Sequence, residues 1–158
     1  MNVFFCDRDP ILAARALADR HVVKMPLETA QILSTVVALH GGDTTGLYKP
    51  THERHPVTWA TCADSGYRSW VVAHGFALAD EYTRRFGRTH GSLGVLRRAF
   101  DALGAPGLVE PWTFAVCVPD EHLIPGDPAA SYRRALAAKY AAWGDAAHWT
   151  NATRPSWA

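Results

Sequence analysis

The chain reads as a mainly α protein: one compact helical bundle, with a short extended N-terminal segment and an irregular crossing rich in Pro and aromatics. Three observations point there. No segment alternates apolar and polar residues as a half-buried strand does. Two Asp-Pro pairs, Asp9-Pro10 and Asp127-Pro128, each precede an apolar pattern of helical spacing, and an Asp cap followed by Pro at the first helical position starts a helix. The 158 residues are 48% apolar and 20% charged, which suits a single domain over 1–158 with one core.

The elements follow in order. Met1 to Asp7 is apolar and β-branched or aromatic, hence extended. After Asp9-Pro10, the residues Ile11, Leu12, Ala16, Leu17, Val22 and Val23 predict one amphipathic helix. Pro26 either kinks it or divides it in two. The pattern resumes through Leu27, Ile32, Leu33, Val36 and Val37 and stops at His40-Gly41-Gly42. Gly42 to Pro56 is a loop. A long helix is expected from Val57 to Phe86, ended by Gly87, with Trp59, Tyr67, Trp70, Val71, Phe76, Leu78 and Tyr82 on its apolar side. Ser92 is placed to cap a short helix that runs to Leu103-Gly104. Residues 105–126 form the irregular crossing, ordered because aromatics at that density favour burial. A last helix runs from Asp127-Pro128 to Trp143, and the tail carries Arg154-Pro155-Ser156-Trp157.

Composition narrows the function. No apolar run approaches the roughly 18 residues of a membrane span, and Asp7 comes too early for a signal peptide. Cys6, Cys62 and Cys117 are odd in number and lack zinc spacing, which points to a reducing, cytoplasmic setting. The net charge is only +1, but 13 of the 16 basic residues are Arg. Five of them (Arg84, Arg85, Arg88, Arg97, Arg98) fall with His90 in a stretch that holds no acid. Arg suits bidentate phosphate contacts, so a local basic face is expected on a nearly neutral protein. The sequence holds no Gly-rich phosphate loop, no G-x-S-x-G and no Cys/His dyad signature. The sequence thereby points away from P-loop enzymes, Rossmann dehydrogenases and α/β hydrolases.

Three constellations carry chemistry. His21, Lys24, Glu28 and Gln31 are spaced three, four and three apart, one face of a helix if Pro26 does not divide it. A carboxylate in a partly apolar setting serves as a general base or stabilises a cationic transition state. Lys24 can neutralise a phosphate or act as an amine nucleophile. If a helix instead begins at Pro26, Glu28 is an early-turn acid favoured by the helix dipole. The second constellation is Lys49-Pro50-Thr51-His52-Glu53-Arg54-His55-Pro56, a loop stiffened by two prolines. Its Lys49, Thr51, Arg54 and His55 suit phosphate oxygens, and His52 faces a pocket or joins His55 on a metal. The third is aromatic: Tyr48 and Trp112 lie in irregular segments and can line a pocket, where aromatics beside Arg stack a base removed from a duplex.

The run Leu17-Ala18-Asp19-Arg20-His21, followed by Glu28 seven residues past the His, resembles the N-terminal helix of phage pyrimidine-dimer DNA glycosylases of the endonuclease V type. Pro50-Thr51, His55 to Trp59, Glu81 to Gly87 and the aromatic tail are similar to that family's order of elements. The whole pattern also resembles small phage and bacterial proteins that share the Lys-Pro-Thr-His and His-Val-Val-Lys-Met runs. The resemblance implies a DNA glycosylase with Glu28 as the catalytic carboxylate, His21 orienting it or contacting a phosphate, and Gln31, Tyr48, His52 and Trp112 around the base. Arg20, Lys49, Thr51, Arg54, His55, Arg84, Arg85, Arg88 and His90 would then hold double-stranded DNA.

Departures from the family bear on the chemistry. The family's nucleophile is the α-amine of a small residue exposed by Met removal, and here Asn2 follows Met1. Two positions that carry Arg in the family are Leu27 and Gln31. The expectation is therefore a monofunctional, monomeric enzyme without metal or cofactor. It excises a damaged or modified pyrimidine, of the bulky phage type for example, in repair or antiviral defence. Lys24 is the rival nucleophile. Two other readings stand beside it: a metal-dependent hydrolase using His21, Glu28, His52, His55 and His90, and a non-catalytic helical DNA-binding module.

Overall fold

Both Asp-Pro pairs start helices. In the computed structural model, which describes residues 1–104 and 115–158, Asp9 accepts from the amides of Ile11 at 2.7 Å and Leu12 at 3.2 Å and opens α1 (Pro10–Ala16). Asp127 accepts from Ala130 at 2.9 Å and opens α6 (Pro128–Trp143). Between them lie α2 (Asp19–Leu39), α3 (Pro56–Ala63), α4 (Ser65–Phe86) and α5 (Leu93–Leu103). Only helices occur as regular elements among the described residues, so the protein is mainly α, a single bundle. Trp112 and the first part of the expected crossing, 105–114, lie outside the described residues.

α2 is the central element. It packs on α3, α4 and α5, and α4 also covers α1. Thirteen of its residues are buried, from His21 to Val37. By length and hydropathy it is apolar enough to cross a membrane, contrary to the expectation that no such segment exists, but 67% of the relevant window is buried inside the protein. Pro26 lies inside α2 without ending it. Its ring removes the amide that would bond Val22. The neighbouring carbonyl, Val23 O, is met from outside by His90 Nε2 at 3.0 Å.

Two expected helices are each divided. The first breaks at Leu17-Ala18, both in extended conformation. The groups freed there find distant partners: Leu17 O accepts from Arg85 at 2.9 Å, and Ala18 N donates to the Tyr140 hydroxyl at 3.2 Å. A break whose orphan groups are satisfied by tertiary contacts costs little, which is why helical spacing alone does not reveal it. The long helix is divided at Asp64, extended at φ −111° and ψ 115°, which ends α3 and caps α4 through Tyr67 N at 2.8 Å. The break turns Trp59 outward, 61% exposed, whereas Tyr67 and Trp70 enter the core as expected. Ser92 precedes α5 but makes no side-chain cap; its hydroxyl meets Tyr48 Oη at 3.1 Å.

The N-terminal arm alternates its faces. Val3 and Phe5 are buried, with Phe5 against Trp70 at a ring separation of 4.7 Å. Asn2 and Phe4 turn the other way and line cavities. α6 is tied to the arm by Tyr132, which donates to Asn2 Oδ1 at 3.0 Å, and by Arg133, which donates to Cys6 O at 2.6 Å and Asp7 at 2.9 Å.

Candidate active site

Because α2 runs unbroken through Pro26, His21, Lys24 and Glu28 share one face, and all three line a cavity of about 420 Å³. Glu28 is 8% exposed. Its Oε1 lies 2.9 Å from Lys24 Nζ. Its Oε2 accepts from the Asn2 amide at 2.8 Å and lies 3.9 Å from the Met1 amine. Burial pushes the Glu28 carboxyl up, but Lys24, the Asn2 amide and the N-terminal charge outweigh it and hold the group below the ordinary carboxylate range. The result is a buried carboxylate kept ionised by contacts on both oxygens.

His21 is placed differently from the expectation that it orients Glu28. Its Nδ1 meets the Tyr140 hydroxyl at 2.9 Å, and its ring packs against Phe4 at 4.5 Å and Trp143 at 4.9 Å. Burial, reinforced by Lys139 and Lys24, pushes its pKa down to about 3. His21 is therefore a neutral wall of the cavity, and its hydrogen bond belongs to α6.

The opposite wall comes from residues that the sequence did not single out. Lys139 and Trp143 of α6, with Asn2 and Phe4 of the arm, line the cavity with α2. Lys139 Nζ lies 5.9 Å from the Phe4 ring and 5.8 Å from Trp143, and Arg20 lies 5.2 Å over Trp143. Lys139 and Trp143 are four residues apart on one helix face, a weak signal that gains meaning only once α6 is docked.

The flanking loop is anchored more than it is open. Thr51 N donates to Thr35 Oγ1 at 3.0 Å, and that hydroxyl lies 3.1 Å from Thr51 O. Tyr48 N donates to Ser34 Oγ at 3.2 Å, and its ring hydroxyl is taken by Ser92, so Tyr48 fastens α2 to α5 and does not line the cavity. Gln31 does not line it either. His52 pairs with the Thr51 hydroxyl at 2.8 Å from a left-handed backbone, φ 52°, and is exposed. His55 accepts from Val57 N at 3.2 Å as the cap of α3. Burial, then the N-terminal charge and His52, push its pKa down, while Glu28 pulls it up, so this end of the loop feels the Glu28 centre. Lys49 and Arg54 are exposed.

The expected basic face is thinner than the sequence suggests. Arg85 has a fully buried side chain and is a structural anchor, not a phosphate contact. It bonds Glu81 at 2.7 Å, Asp19 at 2.8 Å, Leu17 O and Arg15 O. Arg84 is half exposed but holds Glu81 through two nitrogens at 2.7 and 2.6 Å. His90 bridges to α2 through Val23 O and accepts from Ser92 N. Arg88, Arg97 and Arg98 remain exposed.

His21, Glu28, His52, His55 and His90 do not form one donor set. Among the described residues no three His, Cys, Asp or Glu side chains group closely enough to hold a metal ion. Compared with family models, with curated proteins and with solved structures, the chain matches none.

Proposed function

We propose that the protein is a DNA glycosylase in which Glu28 breaks the N-glycosidic bond of a flipped, damaged or modified pyrimidine and leaves an abasic site. The observation that carries this reading is the Glu28 carboxylate itself: buried, doubly contacted, held ionised, and facing a cavity walled by Phe4, His21 and Trp143. Bond cleavage develops positive charge on the sugar, as in glycoside hydrolysis. An ionised, largely buried carboxylate stabilises that charge and activates a water for attack at C1′. The attacking water supplies the hydroxyl, and its proton leaves with the base. Arg20 at the rim, with Lys49, Arg54 and Arg88, supplies sequence-independent affinity for phosphates of double-stranded DNA. The enzyme acts as a monomer in the cytoplasm, in repair or in defence against foreign DNA, and needs no cofactor for these steps.

A lyase step is the second reading, favoured by two amines beside the same carboxylate: Lys24 at 2.9 Å and Met1 at 3.9 Å. The uncharged amine of either, attacking C1′, would displace the base and give an imine after loss of a proton and opening of the sugar ring.

The test is direct. Purified protein in EDTA is incubated with duplexes carrying ordinary, damaged and modified pyrimidines, with Glu28→Gln alongside. Free base from one substrate, lost in Glu28→Gln, supports the proposal. Trapping of a protein–DNA adduct by borohydride supports the lyase reading. Activity that appears only with added divalent metal sinks both.

A further inference from the structure

The cavity beside Glu28 is unbalanced in charge. Arg20, Lys24, Lys139 and the Met1 amine line it, and Glu28 is the one acid among the lining residues. Lys24 and the Met1 amine are engaged by that carboxylate. Arg20 and Lys139 are not; they are exposed, and each lies over an aromatic ring. Such contacts at exposed sites are weak, and both side chains are long enough to swing away. The rings they cover, Phe4 and Trp143, are fixed by the arm and by α6, and both pack on His21. His21 stays neutral, so this wall adds no further cation.

We propose that Arg20, Lys139, Phe4 and Trp143 form the seat of one nucleotide unit, its phosphate between the two cations and its ring on the aromatic faces that the cations now cover. The proposal deepens the Glu28 reading and rests on it for the choice of a nucleotide. Entry of the ring displaces the two cations from the aromatic faces. The phosphate then gives them a partner and cancels part of the surplus positive charge. The cavity volume of about 420 Å³ lies in the range of small-molecule sites. A free mononucleotide and a nucleotide turned out of a strand present the same chemistry.

The experiment measures binding to the full chain by tryptophan fluorescence, with Trp143→Phe to assign the signal. Probes are thymidine 5′-monophosphate, thymidine, inorganic phosphate and a DNA hairpin with one bulged thymidine. Thymidine monophosphate is expected to bind about tenfold or more tighter than either thymidine or phosphate alone. Lys139→Gln and Arg20→Gln should each erase most of that advantage with unchanged melting temperature. Competition by the bulged hairpin assigns the seat to DNA, and its failure to compete assigns it to free nucleotide. Equal affinity for thymidine and its monophosphate, or indifference to both cation variants, overturns the proposal. Phosphate-dependent binding without base release from any DNA sinks the glycosylase reading and leaves the seat. Base release lost in Glu28→Gln, with binding indifferent to phosphate, does the reverse.

Discussion

The backbone amide of Asn2 donates to Glu28 Oε2 at 2.8 Å, so the second residue of the chain grips a carboxylate on the central helix. The Asn2 side chain is fixed in turn, donating to Cys117 O at 2.9 Å and accepting from Tyr132. Under the proposed chemistry, removing the charge removes catalysis with little effect on the fold. Glu28→Gln is expected to lower the single-turnover rate of base release by about 10²–10³-fold, while thermal melting shifts little. Because Glu28 is held below its usual 4.5, the acid limb of the wild-type rate should lie below that value. A limb near pH 6 would show that another group titrates.

Arg85 provides the contrast. Its buried guanidinium serves two acids and two carbonyls, and removing it takes the buried cation from Glu81 and Asp19, leaving Glu81 to Arg84 and Asp19 to Thr150. Arg85→Leu should cost about 3–5 kcal/mol in chemical denaturation. Arg84→Gln, at a half-exposed ion pair, should cost under about 1 kcal/mol. Equal costs would mean that burial is not what separates these neighbours.

Acid should unfold the protein earlier than its carboxylates alone require. Burial pushes His21 and His74 from 6.5 to about 3. The folded state refuses a proton that the unfolded state takes below 6.5, so stability is full above that pH and falls as pH drops toward 3. Each histidine should contribute about 1.4 kcal/mol of loss per pH unit in that window. His74 is fully buried, stacked on Trp70, and neither ring nitrogen has a hydrogen-bond partner among the described residues. His74→Leu should remove one of the two contributions, seen as a shallower decline of melting temperature between pH 7 and 5. An unchanged decline would place the titration elsewhere.

Gly75 marks a close crossing. A Cβ there would lie 2.8 Å from Thr29 Cγ2 and 3.2 Å from Leu96 Cδ2, where α2, α4 and α5 meet. Gly75→Ala gains helix propensity but overpacks that junction, with an expected net cost of about 1–3 kcal/mol in denaturant melts.

DNA affinity should follow exposure and not the count of Arg. Lys49→Ala, Arg54→Ala and Arg88→Ala, combined, should weaken duplex binding and flatten its salt dependence by up to about three charges. An unchanged salt slope would remove these residues from the interface.

What was legible in the sequence was local. Asp9-Pro10, Asp127-Pro128 and Gly87 act within a turn of the residues they cap, and they sit where the pattern placed them. The common face of His21, Lys24 and Glu28 was readable once Pro26 is tolerated. The break at Leu17-Ala18 was not, because Arg85 and Tyr140 complete it from far along the chain. The same holds for Phe4, Lys139 and Trp143: each is an ordinary core or surface residue by pattern, and only docking of the arm and α6 brings them to Glu28. Arg85 misled for the opposite reason, since a basic run reads as surface until its acids, Asp19 and Glu81, are placed.

The cavity takes Phe4 from the first residues of the chain and Lys139 and Trp143 from the last helix. Its second wall is therefore absent until α6 has been made. A nascent chain that stops before Asp127 already carries Glu28, Lys24 and the arm, yet has no second wall. Contacts that span so much sequence form late and slowly. Under the proposed chemistry, a chain truncated before Asp127 is expected to keep Glu28 and Lys24 yet release no base, which a release assay on that fragment would check.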